Sequence, residues 1–133
     1  MSPADKDARP SGPTAEDAAA ARERLETLRT TTVERLAALG RSFDEVVAAA
    51  TDTNVDDEHD PEGATIGFER AQVVALREHG ERTLREIDAA RERLETGTYW
   101  RCTVCGGPIA PGRLAARPTT TMCVRCAAAA ARG

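Results

Sequence analysis

Four cysteines constrain this chain more than any other feature. They stand as Cys102-x-x-Cys105 and Cys123-x-x-Cys126, with seventeen residues between the pairs, and the sequence holds no others. Each C-x-x-C turn can aim two thiolates at one point, and four thiolates fill the tetrahedral shell that zinc prefers. The rival use of such a set is a disulfide framework, which belongs to oxidising compartments. The opening MSPADKDARP lacks the apolar region of a secretory signal, so the chain is expected in the cytoplasm with its thiols reduced. One structural zinc ion on Cys102, Cys105, Cys123 and Cys126 is the resulting expectation. Gly106, directly after Cys105, suits the tight knuckle that turns amides towards sulfur. With all four positions filled by protein, no site is left for an activated water. No catalytic residues are assigned, since phosphate-loop, nucleophile-elbow and metalloprotease motifs are all missing. The chain reads as a non-enzyme.

What precedes the cysteines suits long helices rather than a deep core. Of 133 residues 41% are hydrophobic, yet the aromatics are only Phe43, Phe68, Tyr99 and Trp100, and much of the remainder is alanine. Such a composition gives little material for a walled active-site cavity and leans towards exposed helices. No apolar run nears the ~20 residues of a membrane span. Residues 1–13 carry three prolines and a glycine without periodicity and are expected to be a disordered tail. Thr14, followed by Glu16 and Asp17, reads as a helix start. From there to about Ala50 only Gly40 weakens the helix. Leu25, Leu28, Leu36, Leu39, Phe43 and Val46 form a stripe that is irregular near Thr32. An amphipathic helix on a globular core is the other use of such a stripe, but there is little core for it to cover.

Residues 51–60 are polar turn formers. Asp60-Pro61-Glu62 signals a second helix start, followed by a stripe of Val73, Leu76, Leu84, Ile87 and Leu94. Gly80 is its thin spot, and Gly97 its expected left-handed cap. Glu78/Arg82 and Glu81/Arg85 stand at favourable i,i+4 spacing. The predicted fold is mainly α. A tail over 1–13 leads into an antiparallel coiled-coil hairpin over 14–97, each arm roughly 45–55 Å long, with an acidic tip at about 51–64. A four-cysteine zinc finger with a short C-terminal helix occupies 98–133. Trp100 is placed to pack the finger against the hairpin root.

The net charge of −4 conceals a division: residues 97–133 hold five arginines and no acid, whereas residues 1–96 hold all 22 acids against 13 basic residues. Zinc with four thiolates carries −2, so the finger stays cationic. The segment between the stripes holds Asp52, Asp56, Asp57, Glu58, Asp60 and Glu62 without a Lys or Arg. It reads as a solvated turn or as a probe for a basic or metal-bearing target. An acidic body argues against clamping duplex DNA. His79 is expected to be solvated on a helix face.

Residues 97–126, GTYWRCTVCGGPIAPGRLAARPTTTMCVRC, resemble the zinc finger of the DksA/TraR family. The matching features are Cys-x-x-Cys-Gly, Ile109, Arg113-Leu114, Pro118 and the closing Cys-x-x-Cys, and a finger directly after a long hairpin is similar to the family's layout. Trp100 stands where the family usually has glycine. The resemblance implies a transcription regulator that binds RNA polymerase rather than DNA. Its coiled-coil tip would enter the secondary channel, where tip acids act near the catalytic magnesium. The family's Asp-x-x-Asp-x-Ala tip motif, counted back from Cys102 without gaps, falls on His59, Glu62 and Ala64, with Asp57 and Asp60 beside them. The resemblance also implies a guanosine tetraphosphate site, whose basic positions fall here on Glu86, Arg117 and Ala127. Only the arginine is kept and Glu86 would repel a polyphosphate, so dependence on that nucleotide is expected to be weak or absent. Arg113 and Arg117 remain candidate basic contacts.

A hairpin that pairs its own arms predicts a monomer. Two other classes stay open on sequence alone. One is a nucleic-acid-binding zinc module on a helical stalk, resting on Arg101, Arg113, Arg117, Arg125 and Arg132. The other is a coiled-coil adaptor whose stripes pair between chains. Oxidation of the thiolates would add a redox-sensing role.

Overall fold

The computed structural model describes residues 12–52 and 61–133. Two long helices, α1 (Ala15–Asp52) and α2 (Pro61–Thr96), form the expected hairpin; two short ones, α3 (Pro111–Ala116) and α4 (Val124–Arg132), lie in the finger. Among the described residues the one extended pairing is the antiparallel bridge between Arg101 and Pro108. The expectations for the tail through Ser11 and for Asp57, His59 and Asp60 lie outside the described residues.

The helix ends form for local reasons. Asp17 N–H donates to Thr14 Oγ1 at 3.0 Å, and Thr14 N–H donates to the Asp17 carboxylate at 2.9 Å. This reciprocal capping box satisfies two amides that a helix start leaves over. At the far end of α2, Gly97 takes a φ of 85°, which a side chain would strain. Thr98 N–H then reaches back to the Arg93 carbonyl at 2.9 Å, the six-to-one bond of a Schellman turn.

The chain packs as two compact units. One joins the described residues of Met1–Arg29 to Glu86–Gly133, and the other is Thr30–Arg85. In the first, α1 and α2 run antiparallel. Arg22 pairs with Glu95 at 3.7 Å, Arg91 with Glu26 at 3.1 Å, and Arg29 with Asp88 at 2.8 Å. These pairs are well exposed and mark the register more than they stabilise it. The stability sits in one core: Ala21 and Leu25 from α1, Ala90 and Leu94 from α2, and Tyr99, Cys102, Ile109 and Leu114 from the finger. Each large side chain buried there contributes roughly 1.5–3 kcal/mol. Finger and helix ends therefore share a core, and Trp100 packs on its edge as expected.

The second unit corrects details of the stripes. Thr32 is only 6% exposed, so it fills the break in the α1 stripe as an inward position. On α2, Leu76 is 47% exposed and Arg77 takes the inward place, its guanidinium 5.7 Å from the centre of the Phe43 ring. A cation over an aromatic face is attractive at that range, while the stem covers apolar surface. Gly80 also makes room at the seam, since a Cβ there would lie 2.8 Å from Leu36 Cδ2. Among the described residues, the ion pairs expected between Glu78 and Arg82 and between Glu81 and Arg85 do not close; the pairs that form lie in the other unit.

Candidate metal centre

The segment after Gly97 is folded by backbone hydrogen bonds that bring the two cysteine pairs together. Ile109 N–H donates to the Trp100 carbonyl at 2.7 Å and Cys102 N–H to the Gly107 carbonyl at 2.8 Å, closing the first knuckle into a narrow loop. Gly106 turns that loop with a φ of 74° and donates to the Cys102 carbonyl at 3.0 Å. Thr103 N–H, at 2.9 Å from the Thr121 carbonyl, ties the first knuckle to the strand of chain that carries Cys123. The second pair is then presented at the start of α4, with Cys123 as its N-cap.

All four sulfurs lie within 4.8 Å of one another, the one such cluster among the described residues. Cys105 and Cys123 Sγ are 3.8 Å apart. A tetrahedron with Zn–S bonds of about 2.3 Å has edges of about 3.8 Å, so the set fits zinc. Val104 N–H and Gly107 N–H each approach a sulfur, Cys102 and Cys105 respectively, at 3.4 Å. Such amides favour thiolate over thiol. Donation from the amides of Cys105 and Cys123 holds Cys102 at about 6, and the amide of Cys126 holds Cys123 below the usual thiol range. Cys126 is pushed up to about 12, first by its hydrogen bond with Cys123 and then by burial. Four sulfurs crowded together cannot all ionise unaided, because each anion raises the next. A dication at their centre removes that repulsion and completes the site with no open position. The zinc is structural.

The polar residues around the site have structural duties that sequence reasoning did not assign. Arg93 donates from Nη2 to the Thr98 carbonyl at 3.0 Å and to the Arg101 carbonyl at 2.8 Å, pinning the last turn of α2 to the residue before Cys102. Tyr99 is fully buried; its hydroxyl donates to the Pro118 carbonyl at 2.7 Å, and burial raises its pKa. Arg113 points its guanidinium into the finger, with Nε 2.8 Å from the Met122 carbonyl and Nη2 3.3 Å from Thr120 Oγ1. Of the two basic contacts read from the sequence, Arg113 thus holds the finger's own loop, whereas Arg117 is exposed. His79 and Glu86 are also exposed. Ala64 is exposed near the start of α2, and the Glu62 side chain lies outside what is described.

This geometry defines a C4 zinc finger whose core is shared with the ends of two long antiparallel helices. Residues 95–131 match the family model of the prokaryotic dksA/traR C4-type zinc finger, so the chain carries a zinc finger of the DksA/TraR type. It is 53% identical over 45 residues to an uncharacterized protein of Aquifex aeolicus, covering 34% of this chain and 31% of that one. It is 41% identical over 56 residues to the RNA polymerase-binding transcription factor DksA of Caulobacter vibrioides, covering 42% of this chain and 39% of that protein. The matched stretch spans only 31% and 39% of these two relatives' lengths. The fold is similar to that of the transcription factor DksA2 from Pseudomonas aeruginosa, with a TM-score of 0.75, 24% identity, and coverage of 89% of this chain and 85% of that one. Among the described residues, no helix is long and apolar enough to cross a membrane.

Proposed function

We propose that this protein is a regulator of transcription that acts by binding RNA polymerase, not an enzyme and not a direct binder of DNA. The observation that carries this is a dksA/traR-type finger sharing one core with the root of a helical pair, in a fold like that of DksA2. In this reading the hairpin over 14–97 enters the polymerase secondary channel with its tip, about 51–64, foremost, and the finger over 98–133 fixes the hairpin root. Asp57, His59, Asp60, Glu62 and Ala64 would stand near the catalytic centre. Carboxylates close to a catalytic metal act strongly in a poorly hydrated space. With Glu86 exposed on α2 and Ala127 after the last cysteine, the basic surface for guanosine tetraphosphate is incomplete, and little dependence on it follows. The protein would work as a monomer. The test is transcription in vitro at matched polymerase occupancy, comparing wild type with Asp57→Asn, Asp60→Asn and Glu62→Gln combined. Loss of regulation with binding retained supports the tip mechanism, and equal regulation by both rejects it.

A second reading, a nucleic-acid-binding module, draws on the acid-free finger, where Arg101, Arg117, Arg125 and Arg132 are exposed. It predicts affinity for naked DNA that falls steeply with salt, one condensed counterion being released per phosphate neutralised.

A further inference from the structure

We propose that a cleft beside Trp100 and Arg101 is a nucleotide site, the base lying against the indole and the phosphate on the guanidinium. The cleft encloses about 480 Å³ and is walled by Gly12, Gly97, Gly106, Trp100, Arg101 and Pro108. That volume falls within the range of small-ligand sites. Its three glycines are the residues with positive φ among those described. A Cβ built on any of them would meet nothing within 4 Å, so the wall is bare backbone facing open space. A flat ligand can therefore lie close to the chain without displacing side chains. The indole that completes the wall is held in orientation: Tyr99 meets it edge-on, with ring centres 5.0 Å apart and planes at 86°. Beyond Trp100 and Pro108 the cleft opens into a groove of about 630 Å³ lined by Ile109, Ala110 and Pro111 together with Thr14 and Asp17, a largely apolar bed for the rest of a base with one carboxylate on its wall.

Charge selects the other half of the ligand. Among the described residues, no acid lines the cleft. Arg101 is exposed, while its neighbour Cys102, a thiolate once zinc binds, is 2% exposed and belongs to the core. Arg101 and Trp100 both line the cleft, and between them they supply the two contacts a nucleotide needs: a forked donor for phosphate oxygens and a face for stacking. A neutral heterocycle would use only one of them, and so would inorganic phosphate. The chemistry required is a base joined to a phosphate, which a free nucleotide and a single strand both supply. The inference concerns the finger alone and does not rest on polymerase binding.

Trp100 is the sole tryptophan of the chain, so its fluorescence reports on the cleft directly. The zinc-loaded full chain would be titrated with adenosine monophosphate, adenosine, inorganic phosphate and a short oligoadenylate. Saturable quenching by adenosine monophosphate is expected, with adenosine and phosphate each weaker by about tenfold or more, the loss of one charge-assisted contact. Arg101→Gln, at an exposed position, should weaken the nucleotide by about tenfold without changing zinc content or helicity. The same change at Arg132, on the last turn of α4, should leave binding as it is. Oligoadenylate binding more tightly than the mononucleotide, through Arg101, would assign a strand, and weaker binding would assign a free nucleotide. No saturable quenching by either would overturn the proposal. So would an Arg101→Gln variant that binds like wild type, or an equal loss in Arg132→Gln.

Discussion

Tyr99 offers the sharpest test of how the finger is held. Its ring is fully buried among Leu25, Leu94, Ile109 and Leu114 in the shared core, and its hydroxyl donates to the Pro118 carbonyl at 2.7 Å. Two substitutions separate the ring from the hydroxyl. Tyr99→Phe keeps the ring and removes one neutral hydrogen bond, a loss of about 0.5–1.5 kcal/mol. Tyr99→Ala removes the ring as well and leaves a cavity, at about 3–5 kcal/mol for a buried aromatic. Against a total stability on the order of 5–15 kcal/mol, the first lowers the melting temperature by a few degrees. The second threatens the fold of the unit, because the cavity opens where α1, α2 and the finger meet. Trp100, whose ring packs edge-on against Tyr99, reports the change, since its emission should shift to longer wavelength in Tyr99→Ala and hardly move in Tyr99→Phe. The assay is thermal unfolding of zinc-loaded protein followed by far-ultraviolet circular dichroism and by Trp100 emission together. Equal melting temperatures for the two variants would show that ring burial is not what joins finger to helices.

Three other outcomes follow from the same geometry. Cys105→Ser should abolish stoichiometric zinc and disorder residues 99–126, because a hydroxyl is a poor ligand in this set; elemental analysis showing one zinc per chain in the variant would contradict it. Zinc affinity should fall as pH falls: Cys126, held up to about 12 in the metal-free cluster, must lose its proton to bind, whereas Cys102 at about 6 begins to take one up only below neutrality. Chelator competition between pH 8 and 6 reads this, and a flat profile would refute it. Gly80→Val should destabilise by about 1–3 kcal/mol, since its Cβ meets Leu36 Cδ2 at 2.8 Å and adds bulk to a filled notch; denaturant unfolding with an unchanged midpoint would show that the notch is not tight.

The metal site was readable from sequence because its information is local: two C-x-x-C turns and a glycine specify sulfur positions whatever surrounds them. Helix ends were readable for the same reason, as Thr14 with Asp17 and the positive φ of Gly97 depend on near neighbours alone. The hairpin seam was readable only in outline. Hydrophobicity marked Leu25, Leu36 and Phe43, but it passed over Thr32 and Gly80 and favoured Leu76 over Arg77. Seam positions are set by which face meets the partner helix, and a small residue or a long stem can occupy one as well as leucine. The roles of Tyr99 and Arg93 were missed, and Arg113 was given a different one, because these roles depend on carbonyls that only the folded finger brings near. Arg113 in particular looked like a surface cation, and its partners Met122 and Thr120 are identifiable only once the loop is closed.

RNA polymerase is the target proposed for this protein. The most direct measurement is the binding of the zinc-loaded full chain to purified RNA polymerase, run beside naked duplex DNA over a range of salt. Saturable, one-to-one binding to the polymerase is expected, with no comparable binding to DNA at physiological salt. No retention on the polymerase, together with DNA binding that falls steeply as salt rises, would contradict it.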